Sequence, residues 1–239
     1  MELHQFRHSA FCEKVRLVLA FKGLDHGLVE VIPGLGQIEL FRLSGQRQVP
    51  VLIDGGEVIA DSTAIALHLE ERHPEPALLP RDPVGRARAL LLEDWADTAL
   101  AAGCRQALFQ AAAADPVLRG ALLPDTTPAP LRRLVSVLPA ELLSPVTEAM
   151  GEVIAPCEAR QLRRNLDQLM VLISLAPYLE GDRLSLADLA VAAQLTLLRF
   201  PASAGVPLAG RGVAGISDNP LLEPLFSWRD RILEEAGRA

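Results

Sequence analysis

The chain has 239 residues, of which half are hydrophobic and 22% are charged. This composition is typical of a folded protein and excludes a disordered chain. The formal net charge of -7, from 23 Lys+Arg and 30 Asp+Glu, argues against a general nucleic-acid binder, which would need a basic surface.

The first eighty residues alternate between strand and helix signals. Apolar residues at positions 11, 15, 18, 19 and 21 have helical spacing, and Gly23 ends that helix. Asp54-Gly55 predicts the turn of a hairpin. The predicted elements are a strand at 3–6, a helix at 11–22, a strand at 28–32, a short helix at 37–43, strands at 49–53 and 57–60, and a helix at 63–72. Their order is β-α-β-α-β-β-α.

After this part, the long periodic segments are all helical. A proline-rich linker leads into a predicted helix at 84–113, and prolines break residues 115–145 into short helices and loops. Ser185 and Asp188 fit a capping box. Further helices are predicted at 159–175, 189–198 and 221–235. The sequence therefore predicts an α/β domain at 1–76, a linker at 77–83 and an all-helical domain at 84–239.

The three cysteines, Cys12, Cys104 and Cys157, lie far apart. A disulfide-rich secreted domain would have a denser set, and a zinc site would need ligand spacing that these residues lack. We see neither a secretory signal nor an apolar run long enough to span a membrane. We therefore expect a protein of the cytoplasm that holds no metal.

Ser9 and Cys12 stand where the first strand passes into the first helix. The unpaired N–H groups and partial positive charge of a helix N-terminus favour a thiolate, and the Ser9 hydroxyl could donate a hydrogen bond to one. The alternative is that Ser9 only caps the helix and Cys12 is a small buried apolar residue. Taken alone, the local sequence favours this alternative.

Two further motifs flank the hairpin. Gln48-Val49-Pro50 opens the third strand, where a cis proline would turn the backbone toward a ligand, although trans is the ordinary state of such a bond. Asp61-Ser62 opens the third helix, whose N–H groups and Ser62 hydroxyl could bind a carboxylate while Asp61 binds an ammonium group. Taken alone, an Asp-Ser pair favours plain helix capping over ligand binding.

Taken together, these motifs and the element order resemble the cytosolic glutathione transferase family. The resemblance is strongest over residues 1–80 and at the capping box of Ser185. It implies a thioredoxin-like N-terminal domain, followed by an all-helical domain that carries the electrophile pocket. The only tyrosine, Tyr178, lies in the helical half. The chain therefore resembles the serine- or cysteine-type members, with bacterial and cyanobacterial members as the better match.

The resemblance also implies roles for individual residues. Ser9 aligns with the catalytic position, and Trp95 and Thr98 on the long helix are expected to line the acceptor pocket. The residues implied to bind glutathione are Phe11, Cys12, Gln48, Val49, Pro50, Asp61 and Ser62. Among these, Pro50 matches the family's cis-proline, and Asp61-Ser62 match its acidic-Ser pair.

The implied activity is conjugation of the glutathione thiolate to a small electrophile in detoxification or stress response. Glutathione would be a co-substrate, no other cofactor would be needed, and the protein would be a homodimer. Two alternatives stay open. The first is a glutathione-dependent thiol–disulfide or peroxide reductase that uses Cys12, and the second is a non-catalytic binding module on the same fold.

Overall fold

A computed structural model describes residues 1–32, 36–123, 127, 129–137 and 159–237. Cys157 and most of the proline-broken segment lie outside these residues. The strands are β1 (Glu2–Gln5), β2 (Gly27–Glu30), β3 (Val51–Asp54) and β4 (Glu57–Ala60). The helices are α1 (Ala10–Phe21), α2 (Gly36–Ser44), α3 (Ser62–Arg72), α4 (Pro83–Trp95), α5 (Ala101–Ala114), α6 (Pro116–Ala121), α7 (Ala129–Val137), α8 (Ala159–Leu175), α9 (Leu186–Leu195) and α10 (Glu223–Glu235).

The four strands form one mixed sheet in the order β2-β1-β3-β4. β1 pairs with β2 in parallel and with β3 in antiparallel orientation, and β3 and β4 form the predicted hairpin. Gly55 and Gly56 make its turn with φ of 59° and 92°, values that glycine adopts without a steric penalty. The predicted β-α-β-α-β-β-α order is thus confirmed.

The helical half is built around α9. All ten of its residues are buried, and the helix contacts α1, α4 and α10. The capping box at its start is present: Asp188 accepts hydrogen bonds from the Ser185 N–H and hydroxyl at 2.8 and 2.7 Å. Because α9 packs directly on α1, one apolar core joins the sheet-bearing half to the helical half.

The helix predicted at 84–113 is interrupted. A π-helical segment, Ala96–Leu100, separates α4 from α5. Such a segment inserts extra backbone into a helix and rotates the residues that follow it, and it is frequent at functional sites. The prediction of one continuous helix was therefore wrong at its centre, where Asp97 lies.

Lys14 and Lys22 are the only two lysines of the chain, and both are buried on α1. The Lys22 ammonium donates to Glu70 at 2.7 Å and to the His73 and Pro76 carbonyls at 2.6 and 3.0 Å. These hydrogen bonds hold α1 to the end of α3 and to the segment that follows it. No helix in the described part of the chain is long and apolar enough to cross a membrane.

Candidate functional site

Strand register brings the three predicted motifs to one end of the sheet. Val51, the first residue of β3, pairs with His4 near the end of β1 and with Ala60 at the end of β4. The loop that leads from β1 to Ser9, the Val49–Pro50 bond and Asp61 must therefore lie side by side. Ser9 directly precedes α1, Pro50 precedes β3 and Asp61 precedes α3. Each motif is therefore attached to a helix or strand of the fold.

Ser9 is the N-cap of α1 and is half-buried. Its hydroxyl oxygen accepts a hydrogen bond from the Cys12 N–H at 3.4 Å. An accepting hydroxyl keeps its own proton to donate, and no acceptor for that proton is found among the described residues. Ser9 therefore caps the helix and can still donate to a sulfur at the same time.

Cys12 does not line the cleft. Its side chain is fully buried, and its sulfur accepts a hydrogen bond from the Phe6 N–H at 3.5 Å. Burial raises the pKa of the Cys12 thiol to about 11, although that N–H and the Arg16 charge oppose the shift. A solute cannot reach this sulfur, so the expected contact between Cys12 and glutathione is not supported by the geometry.

The second motif is in place. The Val49–Pro50 peptide bond is cis. Pro50 is buried, Val49 is half-buried and Gln48 is exposed. The Gln48 carbonyl accepts a hydrogen bond from the Gln46 side-chain amide at 3.3 Å. This bond stabilises the turn before β3.

Asp61 adopts a backbone conformation that is rare for its residue type. Its φ is 83°, which costs a residue with a side chain about 1–3 kcal/mol and is found mainly at functional sites. Its carboxylate accepts from the Thr63 and Ala64 N–H groups at 2.9 and 3.0 Å. The Ser62 N–H, at the first position of α3, has no partner within the helix and can take an anionic ligand.

Ser62 itself is buried, and its hydroxyl donates to Asp97 at 3.3 Å. Asp97 also contacts the Lys14 ammonium, which donates to Glu93 at 2.6 Å and to Thr63 at 3.1 Å. One cation and two carboxylates thus meet beneath the start of α3 and join α1, α3 and the long helix. We call Lys14, Glu93 and Asp97 the buried charge cluster.

The buried charge cluster holds two carboxyl groups and only one ammonium group. The Lys14 side chain is 0% exposed and that of Glu93 is 3% exposed. Burial raises the pKa of Asp97 against the lowering effect of the Lys14 charge, and one of the Asp97 oxygens is buried without a partner in the described structure. Sequence analysis missed the role of Lys14, because no local feature distinguishes this lysine from Glu13 and Arg16, the other charged residues of α1.

The roles of Trp95 and Thr98 in the acceptor pocket stay a prediction. Trp95 packs against the core as a partly buried residue. Thr98 is exposed, and its hydroxyl donates back to the Asp94 carbonyl at 2.7 Å. By contrast, the Arg105 guanidinium of α5 lies 5.4 Å from the centre of the Phe11 ring, which brings α5 to the first helix. A cation–π contact between residues so far apart has no local sequence signature.

Next to Ser9 the surface is polar and concave. A cavity of about 240 Å³ is lined by Arg7, His8, Ser9, Glu13 and Arg16, together with residues from the segment that follows α9. Across the described residues, no group of three His, Cys, Asp or Glu side chains is arranged to hold a metal ion. The described residues around Ser9 therefore offer a hydroxyl, backbone N–H groups and charged side chains to a ligand.

Comparison with known proteins supports the resemblance of the first domain to glutathione transferases. Residues 3–77 match the family model described as the glutathione S-transferase N-terminal domain. Glutathione S-transferase Z1 of Arabidopsis thaliana is 39% identical over 90 residues, which are 36% of this chain and 41% of that protein. The maleylacetoacetate isomerase of Pseudomonas aeruginosa is 43% identical over 94 residues, 37% of this chain and 44% of that protein.

These curated relatives are matched over less than half of their own length. Over the whole chain, the fold is that of a solved glutathione S-transferase from Rhodospirillum rubrum F11. That structure has a TM-score of 0.65 and 23% sequence identity, and the match covers 97% of this chain and 87% of the other. The family model thus assigns residues 3–77 to the glutathione S-transferase N-terminal domain, and the chain as a whole shares the two-part fold of that solved structure.

Proposed function

We propose that this protein is a serine-type glutathione transferase that conjugates the glutathione thiolate to a small electrophile. The observation that carries the proposal is the geometry of Ser9, whose hydroxyl stands at the start of α1 with its proton free to be donated. A donor at a helix N-terminus lowers the pKa of a bound thiol, since both the hydrogen bond and the helix dipole favour the thiolate.

Glutathione would lie across the sheet edge. Its γ-glutamyl carboxylate would take the free Ser62 N–H at the start of α3, and its cysteinyl part would pair with the backbone at Val49. This places the sulfur at Ser9. The ionised sulfur then forms a bond to an electrophilic carbon, and the electron pair of the broken bond leaves with the displaced group or moves onto the acceptor.

The electrophile would bind where Phe11 and Arg105 meet, because that contact joins the first helix to the helical half. An aromatic ring beside a guanidinium suits a flat acceptor that carries negative charge. Cys12 and Cys104 are reduced thiols in the described structure, which agrees with a reducing compartment such as the cytoplasm. A role in detoxification would follow from conjugation of such acceptors.

A second candidate is cis–trans isomerisation with glutathione as the catalyst. The observation that favours it is the 43% identity of the matched part to a maleylacetoacetate isomerase. The same thiolate would add to a conjugated double bond and be expelled after rotation about the resulting single bond. Product analysis separates the two activities, because an isomerase returns free glutathione and a conjugating enzyme consumes it.

The reductase alternative is less well supported. A reductase needs an exposed thiolate as its nucleophile, whereas Cys12 is fully buried and its pKa is raised to about 11. The binding-module alternative keeps the same site without turnover. Glutathione binding with no reaction on any conjugated or halogenated acceptor would favour the binding module over both enzymes.

Ser9→Ala is the direct test of the proposal. We expect turnover with a generic electrophile to fall by roughly a hundredfold with little loss of glutathione affinity, because one preorganised donor to a thiolate contributes about 2–4 kcal/mol. Cys12→Ala is the matched control on the same helix and should retain turnover. Unchanged turnover in Ser9→Ala would remove Ser9 from this role and point to backbone N–H groups.

Asp61→Ala separates binding from chemistry. Asp61 acts at the γ-glutamyl end, where its contacts are the same in the ground state and the transition state. The variant should therefore raise the KM for glutathione and leave kcat near its original value. A large fall in kcat with KM unchanged would contradict the placement of glutathione.

We also propose a homodimer. Val84 and Leu91, at 60% and 70% exposed, lie on one face of α4, two turns apart, and a second copy would bury both. Light scattering at micromolar concentration should give about twice the 25.8 kDa of one chain. Leu91→Asp should return the particle to one chain, and a wild-type particle of one chain would refute the dimer.

A further inference from the structure

The polar cavity of about 240 Å³ beside Ser9 contains a titratable ring that the reaction proposed above does not use. His8 directly precedes Ser9 in the chain, and the two residues line the cavity together. The opposite wall comes from the segment after α9, which contributes Thr196, Phe200 and Ser203. Among the described residues that line this space, His8 is the only imidazole. A molecule held at Ser9 therefore lies beside a type of side chain that gains and loses a proton near neutral pH.

The turn that carries the imidazole is held at several points. The Ser9 N–H donates to the Phe6 carbonyl at 3.0 Å and closes the turn. The Arg7 N–H donates to the Glu30 carboxylate at 2.8 Å, and the Arg7 carbonyl accepts a hydrogen bond from the Arg16 guanidinium at 2.9 Å. These bonds tie the turn to β2 and to α1, so its backbone has a fixed position relative to Ser9.

Two phenyl rings set the orientation of the His8 ring. The centre of the Phe6 ring lies 5.8 Å from that of His8, and the centre of the Phe200 ring lies 6.1 Å from it. Both pairs are close to perpendicular, at 86° and 84°, which is a favoured geometry for aromatic rings. Phe200 is buried, so it provides a fixed wall. The imidazole is therefore held in place before a substrate binds, as a proton donor to a reacting atom should be.

The charged groups of the cavity suit an atom that gains negative charge. The described lining includes two guanidinium groups, those of Arg7 and Arg16, and one carboxylate, that of Glu13. The Arg16 Nε donates to Glu13 at 2.8 Å, and the Arg7 guanidinium donates to the Ala204 carbonyl at 3.3 Å. Fixed positive groups beside a developing anion lower the energy of a transition state. The thiolate attack proposed above generates such an anion on the displaced atom.

We propose that His8 is the proton donor of the conjugation reaction, and that the acceptors which require it are those whose displaced atom is a basic oxygen, as in an epoxide. This inference rests on the proposed function. The sulfur bonds to a ring carbon, the bond from that carbon to oxygen breaks, and its electron pair stays on the oxygen. The His8 imidazolium donates its proton to this oxygen, which gives an alcohol. The neutral imidazole regains from water the proton that glutathione released when its thiol ionised.

A halide acceptor does not need this donor. Chloride is the anion of a strong acid and leaves without a proton, whereas an alkoxide is a strong base and a poor leaving group. A positioned general acid contributes roughly 10²–10⁴-fold to a rate, and only the oxygen acceptor uses it. Styrene oxide and benzyl chloride are therefore a matched pair of probes, since both carry a phenyl ring next to the reacting group and they differ in the displaced atom.

Steady-state conjugation of glutathione to the two probes tests the assignment. In His8→Gln, kcat/KM for styrene oxide divided by that for benzyl chloride should fall by roughly a hundredfold. Ser9→Ala should lower both rates and keep their ratio, because the thiolate is common to the two reactions. His4→Gln is the matched control and should retain both rates, since His4 lies on β1 and does not line the cavity.

A measurement on the wild type decides the matter if the His8 variant does not fold. Proton transfer in the transition state slows a reaction in D₂O, so the solvent isotope effect should be larger for styrene oxide than for benzyl chloride. An unchanged ratio in His8→Gln, equal isotope effects, or a wild type that conjugates benzyl chloride alone would overturn the role of His8 and leave the proposed function standing. Absence of conjugation with both probes would overturn the proposed function, and the role of His8 with it.

Discussion

Removing the single cation of the buried charge cluster should destabilise the fold strongly. In Lys14→Met, Glu93 and Asp97 would remain side by side without a counter-charge beneath the start of α3. Breaking a buried ion pair by removing one partner costs about 3–5 kcal/mol, because the remaining charge is desolvated and unpaired. We expect the free energy of unfolding of Lys14→Met to fall by about 4 kcal/mol near neutral pH.

A surface ion pair provides the matched control. Arg72 donates to Glu57 at 2.8 Å, but both side chains are more than half exposed, at 57% and 54%. Such pairs contribute about 0–1 kcal/mol because water screens them. Arg72→Met should therefore cost at most about 1 kcal/mol. Urea unfolding followed by circular dichroism measures both variants on one scale.

The loss in Lys14→Met should also depend on pH. Burial already raises the pKa of Asp97, and removing Lys14, whose charge opposes that shift, would raise it further. A raised carboxyl pKa makes the folded state relatively more stable as pH falls, so the deficit should shrink between about pH 7 and pH 5. Adding Glu93→Gln to Lys14→Met should recover part of the loss. A Lys14→Met deficit no larger than that of Arg72→Met, or one independent of pH, would refute the reasoning.

Three further outcomes follow from buried or paired groups. Cys12, with a pKa of about 11, should resist a thiol reagent at about pH 8 in the folded protein and react once urea unfolds it, as peptide mass mapping would show. The hydrogen bond from His68 lowers the pKa of Asp54. The stability from this pair is therefore present above about pH 4 and lost as pH falls through the lowered pKa, so the urea midpoints of wild type and His68→Ala should converge in acid. Asp188→Ala should destabilise the fold by about 3 kcal/mol in urea unfolding, because it leaves two buried N–H groups without an acceptor; a loss below 1 kcal/mol would contradict this reading of the capping box.

Local sequence patterns predicted the first domain well. Apolar spacing located α1, the Asp-Gly turn located the β3–β4 hairpin, and Ser185 marked the residue before α9. These predictions are confirmed because each depends only on residues within a few positions of one another. The Ser9 cap and the Asp61 cap are local in the same way, and the sequence predicted both together with the functional alternative. The domain bounds at 77–83 stay a prediction.

Contacts between distant residues could not be predicted in this way. Lys14 meets Glu93 and Asp97 across 79 and 83 positions of the chain, and Phe11 meets Arg105 only after the two halves have packed. The π-helical segment also left no local signal, because its residues are as compatible with an α-helix. Trp95 and Thr98 flank or lie within that segment, and their roles in the acceptor pocket stay a prediction.

The burial of Lys14 and Lys22 has a consequence for the chemistry of the protein surface. These are the only ε-amino groups in the sequence, and both are enclosed on α1. All other basic side chains that carry a permanent positive charge are arginines, which amine-directed reagents do not modify. A lysine-directed acetyl or ubiquitin transferase therefore meets no lysine on the folded chain, and the two lysines become substrates only when α1 separates from its neighbours. A modified lysine in this protein would therefore indicate that the region around α1 had unfolded.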